Sequence, residues 1–142
     1  MDYRKEKDKV LVRIDKDEEI LETLKKLCEK ENINGAIFSG IGACSMVATA
    51  TYIPEKHDFI DHEMSGMLEM VSLNGNICMV EGELQEHSHG LFSYLDENGN
   101  TQVLAGHLKS AVVGYTAEIL LQPTEAIEKK FDDNVGIHTW SL

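Results

Sequence analysis

Residues 87–107 decide the fold: His87-Ser88-His89-Gly90-Leu91-Phe92-Ser93-Tyr94-Leu95 reads as a strand, Asp96-Glu97-Asn98-Gly99-Asn100 interrupts it, and Gln102-Val103-Leu104-Ala105-Gly106-His107 reads as a second strand. Short β-prone runs divided by Asn and Gly are the mark of strands and turns. The interruption suits a three-residue hairpin loop, a type I turn followed by glycine in the left-handed position. Pairing Asp96 with Asn100 and counting outward sets His89 directly opposite His107. His87 then lies one step along the same face, because alternate strand residues project together. Directly opposed Cβ atoms are about 4.5–5.5 Å apart, and metal–nitrogen bonds are roughly 2.0–2.1 Å, so one ion can reach all three rings.

An isolated His-x-His is by itself a commonplace of acidic surfaces; the hairpin register is what turns His87, His89 and His107 into a candidate metal site. Three imidazoles leave a coordination position for water or substrate, as catalytic zinc sites do and closed structural ones do not. Zinc is the first expectation, although imidazole also serves iron, nickel and copper. A metal-bound water works with an acid or base, and Glu118 and Glu83 are the catalytic candidates, with Glu86 beside them. Glu118 interrupts the apolar run Val112 to Leu121, which points to an inward carboxylate with a partner. The plainer reading of each is an exposed strand residue. His57, His62 and His138 fall in a loop, a mixed strand and the C-terminal tail, and read as surface or interface histidines.

Upstream of this hairpin the pattern first predicts a strand at Val10 to Ile14 and then a helix. Asp15-Lys16-Asp17-Glu18 resembles a capping box with an aspartate N-cap, and Ile20, Leu21, Leu24, Leu27 and Cys28 form one buried helical stripe. Asn32 to Gly35 should end it. From Ala36 the period shortens towards two, predicting strands at Ala36 to Ser39, Ser45 to Ile53, Met67 to Leu73, Ile77 to Leu84 and Val112 to Leu121. Asn74-Gly75 reads as a type I′ turn folding Met67 to Leu84 into one hairpin. Arg4 to Lys9 reads as a solvated edge. The expected fold class is α+β: an antiparallel, strongly curved sheet of about seven strands with one or two packed helices, in a single domain over residues 1–142.

The hydrophobic share of 42% and charged share of 27% are those of a globular chain. Twenty-five acidic residues against 13 basic ones give a formal charge of -12 and no basic stripe, which makes nucleic acid an unfavourable partner. Cys28, Cys44 and Cys78 form no C-x-x-C pair, so a reducing compartment is expected. Without an apolar leader or membrane-length run, the expectation is a cytoplasmic protein with no membrane partner. Gly40 and Gly42 lack the lysine and following helix of a phosphate loop. Met64, Met67, Met70 and Leu68 supply adaptable apolar surface for self-association.

The assembled residues resemble the plants-and-prokaryotes-conserved domain family. The likeness is carried by Arg13-Ile14, Phe38-Ser39-Gly40-Ile41-Gly42-Ala43, Gly66 through Gly75, His87-Ser88-His89, Ala105-Gly106-His107-Leu108 and Thr116-Ala117-Glu118. The resemblance implies a stand-alone prokaryotic type, a homotrimer, metal bound by His87, His89 and His107, and a fold similar to acetolactate decarboxylase, a zinc enzyme with three histidine ligands. A metal-dependent lyase or hydrolase acting on a small molecule follows by analogy of fold; the alternative is a non-catalytic binding or regulatory module. The sequence departs from the pattern in lacking an Arg-Gly-Arg-Pro AT-hook, and in carrying Ala105 where a second glycine is common.

Overall fold

The computed structural model describes residues 1–56 and 58–142, so the reading of His57 lies outside the described residues. The first strand, β1 (Asp2–Glu6), is followed by β2 (Lys9–Asp15), the helix α1 (Ile20–Glu31), β3 (Ala36–Ile53), β4 (Asp58–Val80), β5 (Glu83–Leu95), β6 (Thr101–Pro123), β7 (Glu128–Asp132) and β8 (Ile137–Trp140). All eight strands join one sheet. Its pairs are antiparallel except β4 with β7, so the sheet is mixed, and among the described residues one α-helix packs against it. No helix of the described residues is long and apolar enough to cross a membrane.

Runs predicted as separate strands are continuous. Ala36 to Ser39 and Ser45 to Ile53 are both parts of β3, and Gln102 to His107 joins Val112 to Leu121 in β6. Register shifts at Gly40/Gly42, Cys44/Met46 and Ala48/Thr49 supply the breaks in alternation that mimicked strand ends. These long, bulged strands bend until the pairing closes: β3 pairs β4, β4 pairs β5, β5 pairs β6, and β6 returns to β3.

Asn74-Gly75 is not a turn. It lies mid-strand in β4, with Asn74 opposite His89 and Gly75 opposite Ser88. Glycine is needed there for space: an added Cβ would clash with the Phe38 ring and come within 2.7 Å of the His87 carbonyl oxygen and Ser88 Cβ. The real turn between β4 and β5 is Glu81-Gly82, with φ of 52° and 86°, the two positive angles a type I′ turn demands.

The helix begins later than the predicted aspartate cap. Asp17 has φ 69° and cannot join it; Glu19 is the N-cap, accepting from the Glu22 backbone N–H. Its second oxygen accepts from the Ala111 N–H at 2.9 Å, tying the helix start to β6. Asn32, at φ 56°, closes the C-terminus within the predicted stop. Ile20, Leu21, Leu24, Leu27 and Cys28 are buried against Val12, Ile14, Phe38, Leu121 and the rest of the core. Each such side chain contributes about 1.5–3 kcal/mol by leaving water. Leu68 and Met70 belong to this core as well, at 0% and 1% exposure, so they are not the association surface expected of them. Arg4 to Lys9, read as a solvated edge, supplies the end of β1, the turn and the start of β2.

Candidate metal centre

The β5–β6 hairpin has the predicted register, with His89 opposite His107 and Leu95 opposite Thr101. Asp96 builds its loop: the Asp96 N–H donates to the Asn100 carbonyl at 2.9 Å, while its carboxylate accepts from the Asn98 and Asn100 N–H groups at 2.9 and 2.8 Å. Gly99 takes the left-handed position at φ 78°. His107 sits where β6 passes between two partners, pairing His89 on one side and Ala50 of β3 on the other.

The three imidazoles point to one place. Ligand atoms of His87, His89 and His107 all lie within 4.8 Å of one another, and the ring centroids are 5.2–5.6 Å apart. Three nitrogens around one tetrahedral ion, each at roughly 2.0–2.1 Å from it, lie about 3.4 Å apart, so the rings would close by up to about 1.4 Å to seat the set on an ion. His87 and His89 are exposed and His107 is half-buried. The His87 ring is nevertheless withdrawn enough from water that desolvation pushes its pKa down to about 4, with Lys129, His107 and His89 adding repulsion. Desolvation also lowers the pKa of His107, helped by His89, Lys109 and Lys129. Both rings are therefore neutral near pH 7, the state that ligates metal.

Directly across from His87 stands Asn76, whose amide oxygen is buried without a hydrogen-bond partner among the described residues. An acceptor beside a ligating imidazole is the usual means of fixing its tautomer.

The histidines form the floor of an open hollow of about 880 Å³. Tyr52 and Phe59 make an aromatic wall, their centroids 5.2 Å apart, with Phe59 5.9 Å from the His107 ring. Lys129 on β7, and Val135, Ile137 and His138 on the β7–β8 hairpin, complete it. Sequence reading missed this hairpin and left His138 in a tail; five residues opening Glu-Lys-Lys carry little strand signal.

The predicted carboxylates are not brought to the histidines. Glu118 is exposed on β6, paired with Arg13 and Ile41, and lines grooves elsewhere. It is not the inward carboxylate its apolar neighbours suggested. Glu83 opens β5 opposite Val80, four residues before His87, and does not line the hollow. Glu86 does, and its charge acts on His107 in the direction that raises that ring's pKa. His62 lies on β4, 3.4 Å from the Thr51 hydroxyl, apart from the triad.

Residues 1–125 match the sequence model of the Plants and Prokaryotes Conserved (PCC) domain. A plant- and prokaryote-conserved protein from Pyrococcus horikoshii is 31% identical, over 99% of this chain and 94% of its own, with a TM-score of 0.81. A metal-containing protein from Archaeoglobus fulgidus is 29% identical, over 99% and 97%, with a TM-score of 0.83. A candidate DNA-binding protein from Ralstonia eutropha is 25% identical, over 99% and 95%, with a TM-score of 0.87. In fold alone the likeness reaches acetolactate decarboxylase from Bacillus subtilis, 15% identical with a TM-score of 0.55, over 82% of this chain and 52% of that one. No curated protein matches in sequence.

Proposed function

We propose that this chain, which belongs to the Plants and Prokaryotes Conserved domain family, binds a divalent metal ion through His87, His89 and His107 and uses the open side of that ion on a small molecule. The observation that carries the reading is the convergence of three ring nitrogens within 4.8 Å from two adjoining strands. The A. fulgidus neighbour, called metal-containing, supports it. Zinc is the ion we favour, since an all-imidazole set in a near-neutral hollow matches its preferences. When bound, such an ion supplies a Lewis acid and an acidified water, the equipment of a metal-dependent lyase or hydrolase.

The chain's own residues would do the rest. His87 and His107, held neutral by desolvation, present lone pairs without first losing a proton. Asn76, paired with His87 across the strands, has an unpartnered amide oxygen that would accept from that ring on a small adjustment. Tyr52 and Phe59 exclude water from one side. For proton transfer, Glu86 replaces Glu83 and Glu118 as the carboxylate we favour, because it alone of the three lines the hollow. That scarcity of acid–base groups is also what favours the second reading, a non-catalytic module that captures a ligand at the ion.

A homotrimer remains part of the proposal. Leu11, Ile37, Ile41, Val71, Val103 and Leu120 leave apolar surface exposed, more than a solitary domain usually tolerates. DNA binding, the function suggested by the R. eutropha neighbour's name, is not adopted. A formal charge of -12 and the lack of a basic stripe oppose phosphate contacts. A cytoplasmic location accords with three free, buried cysteines.

Elemental analysis of protein purified without added metal tests the central claim. About one ion per chain is expected, falling to near zero in H89A and H107A, with cobalt substitution giving the visible absorption of a tetrahedral site. Chelator-sensitive turnover of keto-acid, ester or amide panels separates enzyme from binding module. A metal-free wild-type protein that also fails to take up zinc or cobalt overturns the proposal.

A further inference from the structure

We propose that the hollow over the histidines recognises a small organic carboxylate, its carboxylate held by Lys129, a neighbouring oxygen at the metal, and its apolar remainder against Tyr52 and Phe59. The inference rests on the metal reading and names the class of ligand it would serve.

Charge is the first argument. Three imidazole ligands bring no negative charge to a divalent ion, and Lys129 adds a further positive charge to the same hollow. Among the described residues no carboxylate pairs with it within 4 Å. Glu86 is the carboxylate that lines the hollow, and one negative charge cannot balance three positive ones. A chain that is strongly acidic as a whole therefore carries, once loaded, one concave site with a local excess of positive charge. Partly desolvated charges of that kind are stable when a ligand supplies the counter-charge.

Shape is the second. A volume of about 880 Å³ is that of a small-molecule site rather than a peptide groove. The aromatic wall and the cation flank the histidines, so one ligand touches all three features only if its anionic group, its metal-facing oxygen and its apolar body are joined within a few bonds. A 2-oxo or 2-hydroxy acid with an apolar side chain has that arrangement.

The third argument is where Lys129 resides. The three histidines stand on β5 and β6, whereas Lys129 stands on β7, with Val135, Ile137 and His138 on the hairpin that β7 forms with β8. The cation that would select the ligand is held by a different part of the sheet from the metal ligands. Lys129 is thus a specificity residue, separable from metal binding.

The test loads wild-type, K129Q and K129R proteins with cobalt, measures metal per chain and melting temperature, and titrates each with phenylpyruvate, its methyl ester and inorganic phosphate by calorimetry and visible spectroscopy. Expected are equal cobalt contents, phenylpyruvate binding that shifts the cobalt spectrum, and affinity weakened about tenfold or more in K129Q, the usual worth of a hydrogen bond to a charged group. K129R keeps most of it, and the ester binds both proteins alike. If cobalt is bound but K129Q matches the wild type, the role of Lys129 is refuted and the metal reading stands. Lysine-dependent binding without a spectral shift refutes the bridging arrangement, and phosphate binding as tight as phenylpyruvate refutes the carboxylate assignment. Absence of cobalt from the wild type removes both readings together.

Discussion

Acidifying the metal-free protein should weaken it through His87. The folded chain holds this imidazole at a pKa of about 4, against an ordinary 6.5. Its contribution to stability is fully present above pH 6.5 and is lost progressively as the pH falls towards 4, because over that range the unfolded chain binds a proton that the folded one refuses. Between pH 7 and pH 5 the unscreened loss from this one ring is about 2 kcal/mol. His87 is exposed, and screening by solvent brings the expected loss to about 1 kcal/mol. The depressed carboxylates, Asp15, Glu18, Glu22, Glu31 and Asp96, titrate mainly below this window. They cancel when a variant is compared with the wild type. Urea denaturation of wild-type and H87Q proteins, stripped of metal and held at one protein concentration, measures the difference. The wild type should lose about 1 kcal/mol more than H87Q on going from pH 7 to pH 5, with His107 supplying a residual loss to both. Equal losses would refute the claim that the hollow desolvates His87.

Three further outcomes are expected. Gly75→Ala should destabilise the protein by about 1–3 kcal/mol through overpacking against Phe38 and Ser88, while Asn74→Ala, exposed on the same strand, changes stability by no more than about 0.5 kcal/mol in thermal melts. Cys28 and Cys44, fully buried with pKa values pushed up to about 12, should resist a thiol reagent in the native state and react at the rate of unfolding when denaturant is raised. E83Q and E118Q should retain wild-type metal content, as neither carboxylate lines the hollow; loss of metal from either would mean that the site extends further along its strand than the hollow does.

The histidine hairpin was legible because local chemistry fixes it. Asp96 caps its own loop and Gly99 takes the left-handed turn, so the register of His89 on His107 follows from a few adjacent residues. Asn74-Gly75 misled for the opposite reason, since its glycine answers to Phe38 and Ser88, residues remote in sequence, whereas Glu81-Gly82 makes the turn with less familiar residues. The helix stripe was readable from spacing, but its start was not, because the capping Glu19 carboxylate is recruited by Ala111 of β6 as well as by its own helix. Bulges concealed the length of β3 and β6. Glu118 looked inward among apolar neighbours, but alternation at that end of β6 turns Ala117 and Ile119 to the core and leaves it outside.

The three proposed metal ligands all lie between residues 87 and 107, on two strands joined by one tight loop. Closing so short a segment costs little chain entropy compared with joining β6 to β3. If the proposed ion binds there, a nascent chain would be able to hold it on this hairpin before β6 has found β3 at Ala50 and His107. An ion captured at that stage would pin the arms of the hairpin in register and act as a template on which the remaining strands assemble.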